Sequence, residues 1–148
     1  MEAAVAVPAV PESLGALHEL LDRFWPAVAA AIAEPPSSEL RLRFVTAVLE
    51  IAGNIVRHAY PPDTPSGPLE LRLCAWPGRI EARFADRGVP YQLPAAPAAA
   101  LPVDPDDFTM LPEGGYGLAL VRAAVDHLDY ERTAGGENRW RLVSLLRT

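Results

Sequence analysis

The sequence predicts an α+β two-layer sandwich, with helices gathered on one face of a mixed, mostly antiparallel sheet. Two long segments near the N-terminus carry apolar residues at helical spacing. Two pairs of alternating segments follow, each pair joined by a glycine-bearing turn. Helices therefore segregate from hairpins, the pattern of helices packed on one side of an antiparallel sheet.

Residues 2–10 alternate loosely, with Val5 and Val7 on one side, as a short edge strand does. Ser13 is then the expected N-cap of a first helix. Leu14, Leu17, Leu20, Leu21, Phe24, Trp25, Val28 and Ile32 give it a broad apolar stripe, Pro26 is placed to kink it, and residues 34–36 end it. Trp25 reads as core, with a homodimer interface as the alternative. Ser37 or Ser38 caps a second helix running to about residue 59.

The Pro-rich stretch 61–68 is a loop. Residues 69–76 and 79–85 alternate around Pro77-Gly78 and form the first hairpin. Residues 86–113 are rich in Pro, Ala and Asp without a period, and read as a long mobile loop inside one domain, residues 1–148. Gly114-Gly115-Tyr116-Gly117 opens a third helix ending near Leu128, and residues 129–133 and 138–145 make the second hairpin.

Composition narrows the function classes. Half of the 148 residues are hydrophobic and 22% are charged, which suits a folded core. No run approaches the ~18 apolar residues of a membrane span. There is no basic, apolar leader pattern either, so a cytoplasmic location is expected. A single cysteine, Cys74, excludes an intrachain disulfide framework. All 13 bases are arginine, and the absence of lysine excludes a Walker-type phosphate loop and Schiff-base chemistry. The net charge of −6 argues against nonspecific binding to nucleic acid or anionic membranes.

The second helix carries a polar stripe. With Glu50 at angle zero, Asn54 falls near ~40° and Arg57 near ~340°, with Arg43 and Thr46 close by. Phe44, Val48, Ile51, Ala52, Ile55 and Ala59 cover the opposite side. A solvated amphipathic face would look similar. Gly53 speaks against it: a glycine inside a helix costs roughly 0.5–1 kcal/mol relative to alanine, so its presence points to a need for space beside Glu50 and Asn54. His58, one turn beyond Asn54, reads as a structural hydrogen-bonding residue. Asp86-Arg87-Gly88 ends a strand, where an aspartate is commonly a turn former. The glycines at 114, 115 and 117 precede a helix, where backbone N–H groups and the helix dipole favour an anion.

Taken in order, three boxes resemble the nucleotide-binding signature of the gyrase, histidine-kinase and mismatch-repair ATPase superfamily, the Bergerat fold. They are Glu50-Ile51-Ala52-Gly53-Asn54 with Arg57-His58-Ala59-Tyr60, then Asp86-Arg87-Gly88, then Gly115-Tyr116-Gly117-Leu118. The Asn-x-x-x-His-Ala-Tyr ending and the closing helix and hairpin are most similar to bacterial anti-sigma factor serine/threonine kinases. The resemblance covers roughly residues 10–146.

The resemblance implies that Glu50 is the general base for an attacking hydroxyl and that Asn54 coordinates the Mg²⁺ bridging the ATP phosphates. It implies that Asp86 accepts from the adenine amino group and Gly88 allows close approach to the base. Gly115, Gly117 and Leu118 would shape the phosphate cradle, and residues 89–113 would be the ATP lid. Arg57 and Arg122 are placed to add phosphate contacts. Two departures stand out: Pro90 replaces a glycine usual two residues after Gly88, and Asn138 stands nearest to where the family often has a threonine.

The implied function is an anti-sigma factor that phosphorylates an antagonist protein on Ser or Thr and sequesters a sigma factor. The alternative is a regulatory ATP-binding module that acts by sequestration alone. A sensor histidine kinase is disfavoured, because the chain leaves no room for a helical dimerisation domain.

Overall fold

The computed structural model of the chain describes residues 1–92 and 116–146. Its elements run β1 (Glu2–Pro8), a 3₁₀ turn (Pro11–Ser13), α1 (Leu14–Ala31), α2 (Ser38–His58), β2 (Pro68–Trp76), β3 (Arg79–Asp86), α3 (Tyr116–Ala124), β4 (His127–Arg132) and β5 (Asn138–Leu145). The strands form one sheet in the order β1-β2-β3-β5-β4. Every pairing is antiparallel. All three helices lie on one face: α1 over β1 and β2, α2 over β3 and β5, and α3 between α2 and β4. This is the α+β sandwich that the alternating and helical periods predict.

Local chemistry sets the boundaries. The Ser37 hydroxyl accepts from the Leu40 N–H at 3.2 Å and caps α2. Ser13, the expected cap of α1, makes no such bond, because a 3₁₀ turn precedes the helix and holds Ser13 in helical conformation. Helix α1 continues through Pro26. Helix α3 ends at Ala124, earlier than the expected Leu128, because His127 and Leu128 pair with β5 instead. The expected lid lies mostly outside the described residues, which resume at Tyr116.

The core fills the space between the layers. Phe24, Phe44 and Ile51 come from the helices, and Leu71, Leu73, Ile80, Phe84, Trp140 and Leu142 from alternate strand positions. Among the described residues no helix covers the opposite sheet face, whose centre is rich in charged side chains. Arg72, Arg83 and Arg141 stand directly across from one another on the three central strands. Like charges in this arrangement repel. Glu81 offsets them: its carboxylate is 0% exposed and accepts from Arg79 at 3.1 Å, Arg83 at 3.0 Å and Arg141 at 2.6 Å. Burial alone would raise the Glu81 pKa, but the bonds from Arg141 and Arg83 outweigh it and hold the carboxyl below its ordinary value.

A Glu81→Gln change should lower stability by about 1–3 kcal/mol, the scale of a hydrogen bond to a charged group. A folded pKa below the unfolded one gives stabilisation that is complete above the ordinary carboxylate pKa and lost as pH falls through the lowered value. Urea denaturation across a pH series checks both: the loss should be full at neutral pH and shrink on the acid side.

Candidate functional site

A cleft of about 530 Å³ opens between the C-terminal half of α2, the end of β3 with residues 89–92, and the start of β5. A larger hollow of about 1010 Å³ lies on the open sheet face, walled by salt-bridged arginines and acids, and none of the predicted site residues lines it. Of the predicted site residues, Asn54 and Asp86 line the smaller cleft.

One end of the cleft is a buried polar network around Asp86. Asp86 and Asn138 are paired directly across β3 and β5. Asp86 Oδ1 accepts from Asn138 Nδ2 at 2.8 Å and from the Gly88 N–H at 2.9 Å. Its Oδ2 takes no hydrogen bond from a described residue, yet no buried side-chain polar atom among these residues is orphaned, so Oδ2 opens on the cleft that Asp86 lines. Burial raises the Asp86 pKa above its ordinary value; the bonds from Asn138 and Gly88 and the charge of Arg132 pull the other way without cancelling it.

Asn138 is itself held on every side. Its Nδ2 also donates to Val89 O at 2.9 Å, and its Oδ1 accepts from Tyr130 Oη and from Arg132 Nη1 at 2.9 Å. Arg132 Nη1 donates to Gly88 O at 3.0 Å as well, and Tyr130 Oη accepts from the Tyr91 N–H at 2.9 Å. The loop after β3 is thus tied to the β4–β5 hairpin up to Tyr91. Pro90, which has no N–H to contribute, sits inside this tied segment. The Tyr91 ring makes edge contacts with Trp140 at 5.0 Å and His58 at 6.3 Å between centroids.

On the α2 side the cleft is lined by Asn54, with Arg57 and Glu50 of the same stripe beside it. Asn54 is buried, and the Glu50 side chain is 30% exposed. Arg57 Nη2 donates to Asn54 Oδ1 at 2.6 Å and lies 3.6 Å from Glu50 Oε1. Two oxygen acceptors therefore converge on one positive group, a donor set that suits a hard cation such as Mg²⁺. The first turn of α3 packs against this stripe: a Cβ on Gly117 would fall 2.3 Å from Glu50 Oε1. The missing Gly88 side chain makes room for α2, since a Cβ there would fall 2.0 Å from Ala59 O.

Some predicted site residues lie elsewhere. Leu118 is buried in the core. Arg122 is exposed on α3. Gly115 lies outside the described residues. His58 lines the cleft. Sequence reasoning missed Tyr130, Arg132 and Tyr91, whose roles depend on strand register and loop path. Tyr60 is structural: its hydroxyl donates to Pro68 O at 2.7 Å and accepts from the Arg87 N–H at 2.9 Å.

Comparison with known proteins agrees with this geometry. The histidine kinase-like ATPase domain family matches residues 10–143. The serine-protein kinase RsbW of Oceanobacillus iheyensis is 33% identical over 90 residues, 60% of this chain and 56% of that protein. RsbW of Bacillus licheniformis is 30% identical over the same shares. The serine/threonine-protein kinase BtrW of Bordetella bronchiseptica is 31% identical over 99 residues, 67% of each chain. The matched segment thus spans little more than half the length of the RsbW relatives. Among solved structures, the histidine kinase domain of the Erythrobacter litoralis EL346 blue-light activated histidine kinase shares the fold. Its TM-score is 0.54 at 22% identity, covering 88% of this chain and 61% of that one. With the family match running over residues 10–143, most of its length, the chain belongs to the histidine kinase-like ATPase domain family.

Proposed function

We propose that this chain is an ATP-dependent protein serine/threonine kinase of the anti-sigma type. In this role it phosphorylates an antagonist protein and, by its choice of partner, sequesters a sigma factor. The observation that carries the proposal is the pairing of two differently built ends in one cleft. At one end, a buried carboxylate offers a single free oxygen; at the other, a carboxylate and an amide lie one turn apart. Similarity to the RsbW and BtrW kinases supports the protein-kinase class.

Asp86 Oδ2 accepts from the exocyclic amino group of adenine. Asn138 and the Gly88 N–H fix that carboxylate through its other oxygen, so it needs no reorganisation on binding. Asn54 Oδ1 is the protein ligand for Mg²⁺, which neutralises charge on the phosphates when bound. Glu50 takes the proton of the acceptor Ser or Thr as its oxygen attacks the γ-phosphorus and ADP leaves. Gly117 and Gly115 border the phosphates, with Arg57 and Arg122 as candidate phosphate contacts. Residues 1–148 form a single domain, and residues 89–113 serve as its lid. Among the described residues no helix is long and apolar enough to cross a membrane.

Asp86 gives a pH test. Its pKa is raised by burial, so on acidification it takes up a proton above the ordinary aspartate range and loses acceptor strength. MgATP affinity measured by calorimetry should begin to fall at that higher pH. Asp86→Asn should weaken binding by about 10- to 100-fold at neutral pH and remove the acid limb, the scale of one hydrogen bond to a charged group. Absence of binding by the unmodified protein at millimolar MgATP would overturn the nucleotide assignment.

Glu50 separates kinase from sequestration module. Glu50→Gln should leave MgATP affinity within a few fold and slow phosphoryl transfer to the antagonist by about 10²–10⁴, the usual weight of a positioned general base. Radiolabelled ATP, Mg²⁺ and small candidate antagonist proteins supply the assay. Nucleotide and sigma-factor binding without transfer to any candidate would leave the sequestration module.

A further inference from the structure

We propose that Arg57 is a positioning residue that holds the metal position in the nucleotide-free protein and exchanges with Mg²⁺ when nucleotide arrives. The inference rests on the MgATP assignment above. Its guanidinium occupies the place where the two oxygen acceptors of α2 converge, with Nη2 2.6 Å from Asn54 Oδ1 and 3.6 Å from Glu50 Oε1. Without a cation, the carboxylate and the amide oxygen on adjacent turns would lose their shared partner, and the partly exposed Glu50 would be free to change rotamer. Arg57 satisfies the Asn54 oxygen with a charge-assisted bond and places a positive charge beside Glu50.

The helix is built to seat this group. A Cβ on Gly53 would lie 3.0 Å from Arg57 Nη1, 3.7 Å from its Cζ and 3.9 Å from Nη2, so the guanidinium folds back across the bare backbone of Gly53. An alanine there would crowd it. The mid-helix glycine, which sequence alone marks only as a demand for space, thus makes room for Arg57. The seat is reversible: the Arg57 side chain is 55% exposed, and its flexible stem can swing outward without unpacking the core. A guanidinium seated on the Asn54 oxygen repels a metal ion at the same atom, so the two compete for it. With Mg²⁺ and nucleotide bound, Asn54 would hold the metal, and the displaced guanidinium would be free to contact the phosphates.

A seated guanidinium competes with the metal, so the apparent magnesium affinity is reduced by the fraction of molecules whose position is free. The experiment is a MgCl₂ titration of the full chain at fixed ATP, read by calorimetry or thermal shift, with ATP affinity in EDTA measured in parallel. Arg57→Met, which keeps the stem and removes the charge, should lower the magnesium midpoint by about 3- to 10-fold, as removal of a competitor occupied most of the time requires. Arg57→Lys should bring the midpoint back toward the unmodified value. Gly53→Ala should shift it in the Met direction by less, and serves as the reading if Arg57→Met folds poorly. A phosphate-contact role alone would weaken ATP in EDTA and in magnesium alike and leave the midpoint in place. An unchanged or higher midpoint overturns the proposal while MgATP binding stands; loss of MgATP binding in the unmodified protein overturns both.

Discussion

The C-terminal end of α2 comes to rest on the end of β3 at one backbone contact, and the cleft depends on it. The Val89 N–H donates to Ala59 O at 2.8 Å, and Gly88 lies so close that any side chain would enter that carbonyl. A carbonyl in the last turn of a helix lacks an intrahelical partner. Here the strand end supplies one. The same contact fixes the distance between the two chemistries: Asn54 is little more than a turn back along α2, and Asp86 is two residues before Gly88 on β3. Tyr60 reinforces the junction from the far side by bonding Pro68 O and the Arg87 N–H together.

From that junction the two ends of the cleft follow different rules. The Asp86 end buries a carboxylate, which is tolerated only when its oxygens are satisfied. Asn138 and the Gly88 N–H satisfy Oδ1, Tyr130 and Arg132 hold Asn138 in turn, and Oδ2 stays open to the cleft. Such networks are rigid because a half-satisfied version is costly. The cost of burial remains visible in the raised pKa of Asp86. The loop carrying Val89 and Tyr91 is drawn into the same network on either side of Pro90.

Much of this was legible in the sequence because periodicity reports burial. The alternation of Leu69, Leu71 and Leu73 and the stripe opposite Glu50 specify which faces meet, and the buried set matches both. The box residues are legible as motifs because close approach demands glycine at fixed places, as Gly88 shows. What stayed hidden depends on register between distant segments. Asn138, marked in the sequence only by its nearness to the family's threonine position, gains its partner once Asp86 is placed opposite it, 52 residues away. Arg132 and Tyr130 belong to β4, and their reach into the loop after β3 exists only because β5 lies between β3 and β4 in the sheet. The failed cap at Ser13 is local: a 3₁₀ turn and an N-cap begin with the same Pro-Glu-Ser signal.

The contrast between the ends bears on how such a site recognises and reacts. Recognition of a base gains from a rigid acceptor, since every freedom retained before binding is a cost at binding. Phosphoryl transfer places other demands: charge must be redistributed as metal, phosphates and acceptor hydroxyl come together. At the α2 end the interacting groups are a half-exposed arginine, a partly exposed glutamate and one buried amide, and only the amide is fixed by the core. Ion pairs with this exposure are weak and exchange readily. The fold therefore concentrates its hydrogen bonding at the Asp86 end, where the proposed adenine contact lies. It leaves the charged groups at the α2 end exposed enough to change partners, as the proposed exchange of Arg57 requires.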